Sequence, residues 1–159
     1  MLTSFDQLDT SSKVWVYQAT SELTTDQQAT IKELLTDFVT QWNSHGADVT
    51  GAFDLLYDRF IILAADDRNS VSGCSIDSSV SVIREIETKL NLSLLDRSII
   101  AYKNGTTIST THLTELTELV NTQEINPDTI IFNNSITNLS QFLSSWEIAA
   151  KDSWAARYF

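Results

Sequence analysis

Two regions of the chain have the apolar spacing of an amphipathic helix. In the first, apolar residues recur every three or four positions, at Ile31, Leu34, Leu35, Phe38, Val39 and Trp42. The same spacing returns further along, at Ile76, Val80, Ile83 and Leu90. This spacing predicts two helices that each bury one face. A capping box at Thr25-x-x-Gln28 predicts the start of the first helix, and Gly46 predicts its end.

Four short segments rich in β-branched and aromatic residues predict strands, at residues 13–19, 51–57, 59–65 and 97–103. Together with the two helices they give the order β-α-β-β-α-β, the ferredoxin-like arrangement, in which the sheet order is 4-1-3-2. The first and third strands are apolar on both faces, whereas the second and fourth are mixed. Because central strands are buried on both faces, this pattern favours the same order.

The chain from residue 104 onward predicts an α/β extension of this core. Asn104-Gly105 is a strong hairpin signal and predicts a partner strand at Thr106–Thr110. Three further elements are expected: a helix near Thr111–Asn121, a strand at Thr129–Asn133 and a last helix that opens at Asn138-x-x-Gln141.

The two helices can cover only one face of the predicted sheet. We expect the extension to cover the other face, to which Trp15 and Tyr17 are assigned. The terminal residues 154–159 are rich in aromatic side chains, so we expect them to pack on the domain or on a second subunit of a homodimer. The prediction is a single α+β domain, with a ferredoxin-like core at 13–103 and the extension at 104–159.

Charge and composition narrow the classes of function. The 159 residues include 10 basic and 21 acidic side chains, for a formal net charge of −11. Such a surface repels phosphate backbones and anionic lipids, so we expect neither nucleic acid nor a membrane as partner. No apolar run approaches the ~20 residues of a membrane helix, and the N-terminus lacks a signal-peptide pattern. We therefore expect a cytoplasmic protein.

Known cofactor and metal motifs are missing from the sequence. It contains no phosphate-binding loop, dinucleotide fingerprint or zinc-protease motif, so no cofactor is expected. The single cysteine excludes an internal disulfide and a cysteine-based metal cluster.

The residues with the most chemical potential lie in the loop before the second helix, Ser72-Gly73-Cys74-Ser75-Ile76-Asp77. The predicted topology places His45, Asp66 and Lys103 at the same end of the sheet. The free N–H groups and the dipole at a helix start favour anions. The leading hypothesis is a non-enzymatic module that holds a small anion or a protein partner. Its predicted ligand-binding residues are Ser72, Gly73, Ser75, Asp77, Asp66 and Lys103, with Arg68 as an alternative to Lys103.

The alternative is a cysteine-dependent enzyme. A helix start lowers the pKa of a thiol, which would make Cys74 a nucleophile. His45 would be its base, and Asp66 or Asp67 would orient the imidazole. In a purely structural interpretation, Cys74 is a small buried residue and His45 ends a helix. A divalent-metal site at Asp66, Asp67 and Asp77 is less favoured, because acidic residues at strand ends are usually solvated.

Three segments of the chain resemble an uncharacterised bacterial family. They are Val14-Trp15-Val16-Tyr17-Gln18, Arg59-Phe60-Ile61-Ile62-Leu63-Ala64 and Ser72-Gly73-Cys74-Ser75-Ile76-Asp77. Members with this SGCSID motif sometimes carry the label "ABC transporter ATPase", although this chain lacks the phosphate-binding motif of an ATPase. The resemblance covers residues 14–102. It implies a shared fold and a shared loop, and it assigns no catalytic residue.

Overall fold

Four helices and nine strands make an α+β fold in the described part of the chain. A computed structural model describes residues 1–66, 68 and 73–159, and within 73–75 it describes the backbone alone. The strands are β1 (Lys13–Gln18), β2 (Asn43–Ser44), β3 (Ala47–Asp48), β4 (Gly51–Leu56), β5 (Phe60–Ala65), β6 (Ile99–Asn104), β7 (Thr107–His112), β8 (Ile130–Phe132) and β9 (Glu147–Ala149). The helices are α1 (Thr25–Gln41), α2 (Gly73–Leu90), α3 (Leu116–Asn121) and α4 (Leu139–Ser145). The predicted α+β class is confirmed.

The first sheet has three antiparallel strands in the order β1-β5-β4. These strands have the relative order predicted for them. All six residues of β5 are buried, as their apolar character on both faces predicts. Each large side chain buried in this way contributes about 1.5–3 kcal/mol of hydrophobic free energy. The chain turns from β4 to β5 at Tyr57 and Asp58, which both have positive φ angles.

The predicted fourth strand, β6, belongs to a second sheet with the order β7-β6-β8-β9. A hairpin at Gly105, whose φ is +66°, pairs β6 with β7 along its whole length. On its other side, Tyr102 of β6 pairs with Ile131 of β8. Because β6 has a partner on each side, it is not available to β1. The 4-1-3-2 order is therefore not confirmed, whereas the predicted Asn104-Gly105 hairpin is present.

The segment that leads into α4 forms hydrogen bonds with the outer edge of β1. The backbone N–H of Val14 donates to the carbonyl of Thr137 at 3.1 Å, and the N–H of Leu139 donates to the carbonyl of Ser12 at 2.9 Å. These bonds satisfy part of the edge that the ferredoxin-like arrangement would pair with a fourth strand. The extension thus attaches along the edge of the first sheet as well as over its face.

The two faces of the first sheet are covered by different layers. The helices α1 and α2 pack on the face that carries Tyr17, Ile61 and Leu63. The extension packs on the opposite face through Phe132, Ile136, Leu139 and Trp146, which contact Val14, Val16, Phe60 and Ile62. The prediction assigned Trp15 and Tyr17 to the extension, and the structure corrects this. Alternation along a strand separates two faces, but it does not say which layer covers each of them.

The capping box of α1 lies one residue earlier than predicted. Thr24 Oγ1 accepts a hydrogen bond from the Gln27 N–H at 3.1 Å, and Gln27 Oε1 accepts one from the Thr24 N–H at 2.9 Å. The helix ends at Gln41, ahead of Gly46. His45 and Gly46 instead form the turn of the β2–β3 hairpin, with φ angles of 51° and 85°.

The last part of the chain contains a strand that the sequence did not predict. Helix α4 ends at Ser145, and β9 follows and pairs with β8. A 3₁₀ helix at Trp154–Tyr158 then packs on the second sheet through Ala155 and Tyr158. The aromatic tail therefore docks on its own chain. None of the helices in the described residues is long and apolar enough to cross a membrane.

Candidate functional site

The predicted loop at residues 72–77 is mostly the beginning of a helix. Helix α2 starts at Gly73, so Cys74 lies within its first turn and not ahead of it. Ser72 lies outside the described residues, and the side chains of Gly73, Cys74 and Ser75 are also outside them. Asp77 is exposed to solvent. The roles of Cys74 as a nucleophile and of this loop as an anion site stay predictions.

Two of the other predicted site residues lie in different connections, His45 in a turn and Asp66, which is partly buried, after β5. His45 is exposed in the turn of the β2–β3 hairpin. Asp66 follows β5, and its two carboxylate oxygens accept hydrogen bonds from Arg68 Nε at 3.0 and 2.9 Å. These bonds hold the pKa of Asp66 below its usual value. Arg68, the alternative cation of the predicted anion site, is thus already paired with a carboxylate.

Lys103 lies at the opposite end of β5 from Asp66. Its Nζ pairs with the Glu147 carboxylate and sits 5.4 Å from the centre of the Tyr57 ring. Hydrogen bonding to Glu147 raises the pKa of Lys103. Tyr57 precedes β5 and Asp66 follows it, so the structure separates Lys103 from Asp66. The reason is that β6, which carries Lys103, joins the second sheet.

The metal interpretation gains no support from the described residues. Within them, no group of three His, Cys, Asp or Glu side chains is placed to hold a metal ion. Asp67, one of the three carboxylates in that interpretation, lies outside the described residues.

A cleft runs along β1, and its smaller part lies between the two sheets. Two cavities form it, of about 250 and about 530 Å³, and Val16, Arg97, Asn134 and Ser135 line both of them. We call this feature the β1 cleft. The smaller cavity is lined by residues of β1, of the segment before β6, of the chain after β8 and of the C-terminal tail. Segments that are far apart in the sequence therefore meet there.

A chain of side-chain hydrogen bonds fixes one wall of the β1 cleft. The indole N–H of Trp146 donates to Asn134 Oδ1 at 2.9 Å, and Asn134 Nδ2 donates to Gln18 Oε1 at 2.9 Å. Gln18 Nε2 lies 3.4 Å from the carbonyl oxygen of Ile99, to which it donates a longer bond. Gln18 is buried, and burying an amide is tolerated only when it is hydrogen-bonded. The chain of bonds joins β1 to the second sheet.

Two arginines line the smaller cavity. Arg97 is exposed, and no described residue accepts a hydrogen bond from its guanidinium or forms an ion pair with it. Arg157 donates one hydrogen bond to the Tyr158 hydroxyl at 3.3 Å. A guanidinium has five N–H donors, so both arginines keep donors for a ligand. Asp96 also lines the cavity, and it accepts a hydrogen bond from the Ser98 N–H at 2.9 Å.

Tyr17 also lines the same cavity. Burial raises the pKa of the Tyr17 hydroxyl, while the nearby Ser79 hydroxyl and the positive charge of Arg97 act in the opposite direction. Tyr17 therefore stays neutral at physiological pH. Neither a cysteine nor a histidine is among the described residues that line this cavity.

The geometry of the β1 cleft is the basis for assigning a function. No protein-family model, curated protein or solved structure matches the chain. The SGCSID resemblance thus stays a prediction from the sequence alone.

Sequence reasoning missed the residues of the β1 cleft. Gln18 carried a weak signal, because it is an amide that follows four apolar or aromatic residues of its strand. Arg97 and Arg157 carried no signal, since single arginines at the ends of elements are common on solvated surfaces. Their shared position depends on the packing of the tail against the second sheet.

Proposed function

We propose that the protein is a non-enzymatic module that binds a small organic anion in the β1 cleft. The proposal is carried by one observation: Arg97 and Arg157, from separate segments, line the same cavity. A guanidinium offers parallel N–H donors that match the two oxygens of a carboxylate or phosphate. Two arginines against the single carboxylate of Asp96 leave a local excess of positive charge.

The composition of the lining supports binding over catalysis. The polar side chains of the wall, Gln18 and Asn134, are hydrogen-bonded within the protein and hold it in place. The two arginines add cationic donors, which are suited to hold an anion. A fixed wall with free cationic donors is the arrangement expected of a binding site.

The net charge of the whole protein limits the charge that a bound ligand can carry. A formal charge of −11 repels anions at long range, so attraction arises only close to Arg97 and Arg157. A small anion of low charge suits these conditions better than a polyanion. Because both arginines are exposed, affinity should fall as ionic strength rises.

The loop at 72–77 is the alternative position for the same anion. It was the predicted site, and the start of α2 at Gly73 is compatible with it. The resemblance to the SGCSID family would give this loop, and not the β1 cleft, the shared role. The two positions involve different residues, so substitutions distinguish them.

Thermal unfolding in the presence of anions tests the proposal. Acetate, benzoate and phosphate are compared at constant ionic strength, because an anion that binds the native state raises the Tm by mass action. We expect Arg97→Gln and Arg157→Gln each to remove most of the shift. Arg84→Gln is the matched control, since Arg84 is an exposed arginine of α2 outside the cavity.

Two results would contradict the proposal. One is that none of these anions raises the Tm of the wild-type protein. The other is that Arg97→Gln keeps the full shift while a Ser72→Ala/Ser75→Ala double variant loses it, which would move the site to the loop.

A further inference from the structure

The aromatic and apolar walls of the β1 cleft indicate the class of the anion. We propose that the smaller cavity binds an aromatic monocarboxylate with a single ring. Its carboxylate meets Arg97 and Arg157, and its ring packs on the aromatic lining. This inference rests on the proposed function, because it requires an anion at the two arginines.

Three aromatic side chains from three parts of the chain line the smaller cavity. Tyr17 comes from β1, Phe132 from β8 and Trp154 from the tail. Tyr17 and Phe132 are buried, Tyr17 on the side of the first sheet that α1 and α2 cover and Phe132 on the opposite side, while Trp154 remains 38% exposed. Aromatic rings favour other rings in offset or edge-to-face contact. An aromatic ligand therefore gains contacts that an aliphatic carboxylate of the same charge would lack.

The apolar lining continues beyond these rings. Leu94 and Ile100 are buried at the cavity wall, and Leu113 is 38% exposed beside it. Burying the apolar body of a ligand here removes ligand and protein surface from water together. A small hydrophilic anion would leave this lining in contact with water. The lining therefore favours a carboxylate with an apolar body over acetate.

The volume of the cavity limits the size of that body. A cavity of about 150 Å³ lined by apolar residues holds benzene. The smaller cavity of the β1 cleft has about 250 Å³. It can therefore hold one ring together with a carboxylate, and a fused or linked second ring would extend out of it.

The charges around the cavity favour a monoanion. Arg97 and Arg157 contribute two positive charges and Asp96 one negative charge, so the cavity carries a local excess of one positive charge. A phosphate monoester carries nearly two negative charges at neutral pH. The second charge would meet Asp96 and the acidic surface of the protein. A planar carboxylate also matches a guanidinium through paired hydrogen bonds.

Calorimetric titration of the full chain at constant ionic strength tests this inference. The probes are benzoate, cyclohexanecarboxylate, acetate and phenyl phosphate. We expect benzoate to bind at least tenfold more tightly than acetate, and more tightly than cyclohexanecarboxylate and phenyl phosphate. This comparison uses the wild-type protein, so it does not depend on the folding of a variant.

A substitution in the tail tests the role of the aromatic wall. Trp154→Leu should weaken benzoate several-fold and leave acetate unchanged. Phe159→Leu is the matched control, because Phe159 is an exposed aromatic residue of the same tail that does not line the cavity. It should leave both affinities unchanged.

The outcomes separate this inference from the proposed function. If all the carboxylates bind with similar affinity and Arg97→Gln abolishes binding, the aromatic class is wrong and the anion site stands. If phenyl phosphate binds more tightly than benzoate, the monocarboxylate class is wrong. If none of the probes binds the wild-type protein, the proposed function fails as well.

Discussion

The side-chain amide of Asn134 donates a hydrogen bond to Gln18 Oε1 at 2.9 Å across the boundary between the two sheets. Gln18 belongs to β1 of the first sheet, and Asn134 follows β8 of the second. Asn134 also accepts the indole N–H of Trp146 at 2.9 Å. One amide thus satisfies groups from two buried side chains and holds the wall of the β1 cleft in position.

Removing the Asn134 amide should destabilise the fold. Asn134→Ala leaves the indole N–H of Trp146 and the carbonyl of the buried Gln18 amide without their partner. An unsatisfied buried group costs about 1–3 kcal/mol, so we expect a loss of that size in the free energy of unfolding, measured in urea. Asn133→Ala is the control, because its side chain accepts a bond from an exposed backbone N–H, and it should cost less. Equal stability of Asn134→Ala and the wild type would contradict this role.

The start of β4 requires a glycine at position 51, because a side chain there would clash with its neighbours. A Cβ there would lie 2.9 Å from the carbonyl oxygen of Ala64 and 3.2 Å from the Trp42 ring. Because a backbone carbonyl in a sheet cannot move aside, Gly51→Ala should lower the free energy of unfolding by about 1–3 kcal/mol.

A second glycine provides the comparison for Gly51. Gly46 has a φ of +85° and open space around it, so its requirement is conformational. Asparagine adopts that conformation at low cost, and Gly46→Asn should change stability by less than about 1 kcal/mol. Urea unfolding of both variants checks the pair. If Gly51→Ala proves as stable as Gly46→Asn, the close packing at Gly51 is not a constraint.

Tyr17 should contribute to unfolding at high pH. Burial raises the pKa of its hydroxyl above the ordinary value of 10.0. A group with a raised folded-state pKa contributes fully below the unfolded-state pKa, and the contribution is lost as pH rises through the folded-state pKa. The free energy of unfolding should therefore fall as pH rises above about 10.

Replacing Tyr17 by phenylalanine tests this pH dependence. Tyr17→Phe removes the ionisable group, so the stability of this variant should fall less steeply than that of the wild type as pH rises above about 10. Tyr57 also has a pKa raised by burial, but it is 45% exposed and screened by water. Tyr57→Phe should flatten the dependence less. If the free energy of unfolding falls with pH equally steeply in the wild type and in Tyr17→Phe, Tyr17 does not control the loss of stability at high pH.

Local signals in the sequence predicted the individual helices and strands better than the pairing of the strands into sheets. The α1 stripe and the hairpin at Gly105 follow from residues that are neighbours in the chain, and both are present. The place of β6 depends on the pairing of Tyr102 with Ile131, a contact between distant segments. Strand β6 carries both polar and apolar residues on its faces, and this pattern alone is compatible with a place in either sheet. Strand β9 was missed because Trp146 and Ala150 continue the apolar spacing of α4.

The candidate site was harder to predict than the fold. The prediction relied on one contiguous motif at 72–77, because a motif is visible without knowing the tertiary structure. The β1 cleft is instead assembled from β1, the segment before β6, the chain after β8 and the tail. The position of Lys103 depends on the tertiary structure in the same way. Because β6 belongs to the second sheet, Lys103 lies next to Tyr57 and Glu147.

The most direct test of the account is to locate the bound anion by NMR. Backbone amide shifts of the ¹⁵N-labelled protein are followed while benzoate, and separately acetate, are added at constant ionic strength. We predict saturable shifts at residues 16–18, 94–100, 134–135 and 154–157, which Arg97→Gln removes and Arg84→Gln preserves. Shifts confined to residues 72–77, or no saturable shift with either anion, would contradict the assignment of the β1 cleft as the anion site.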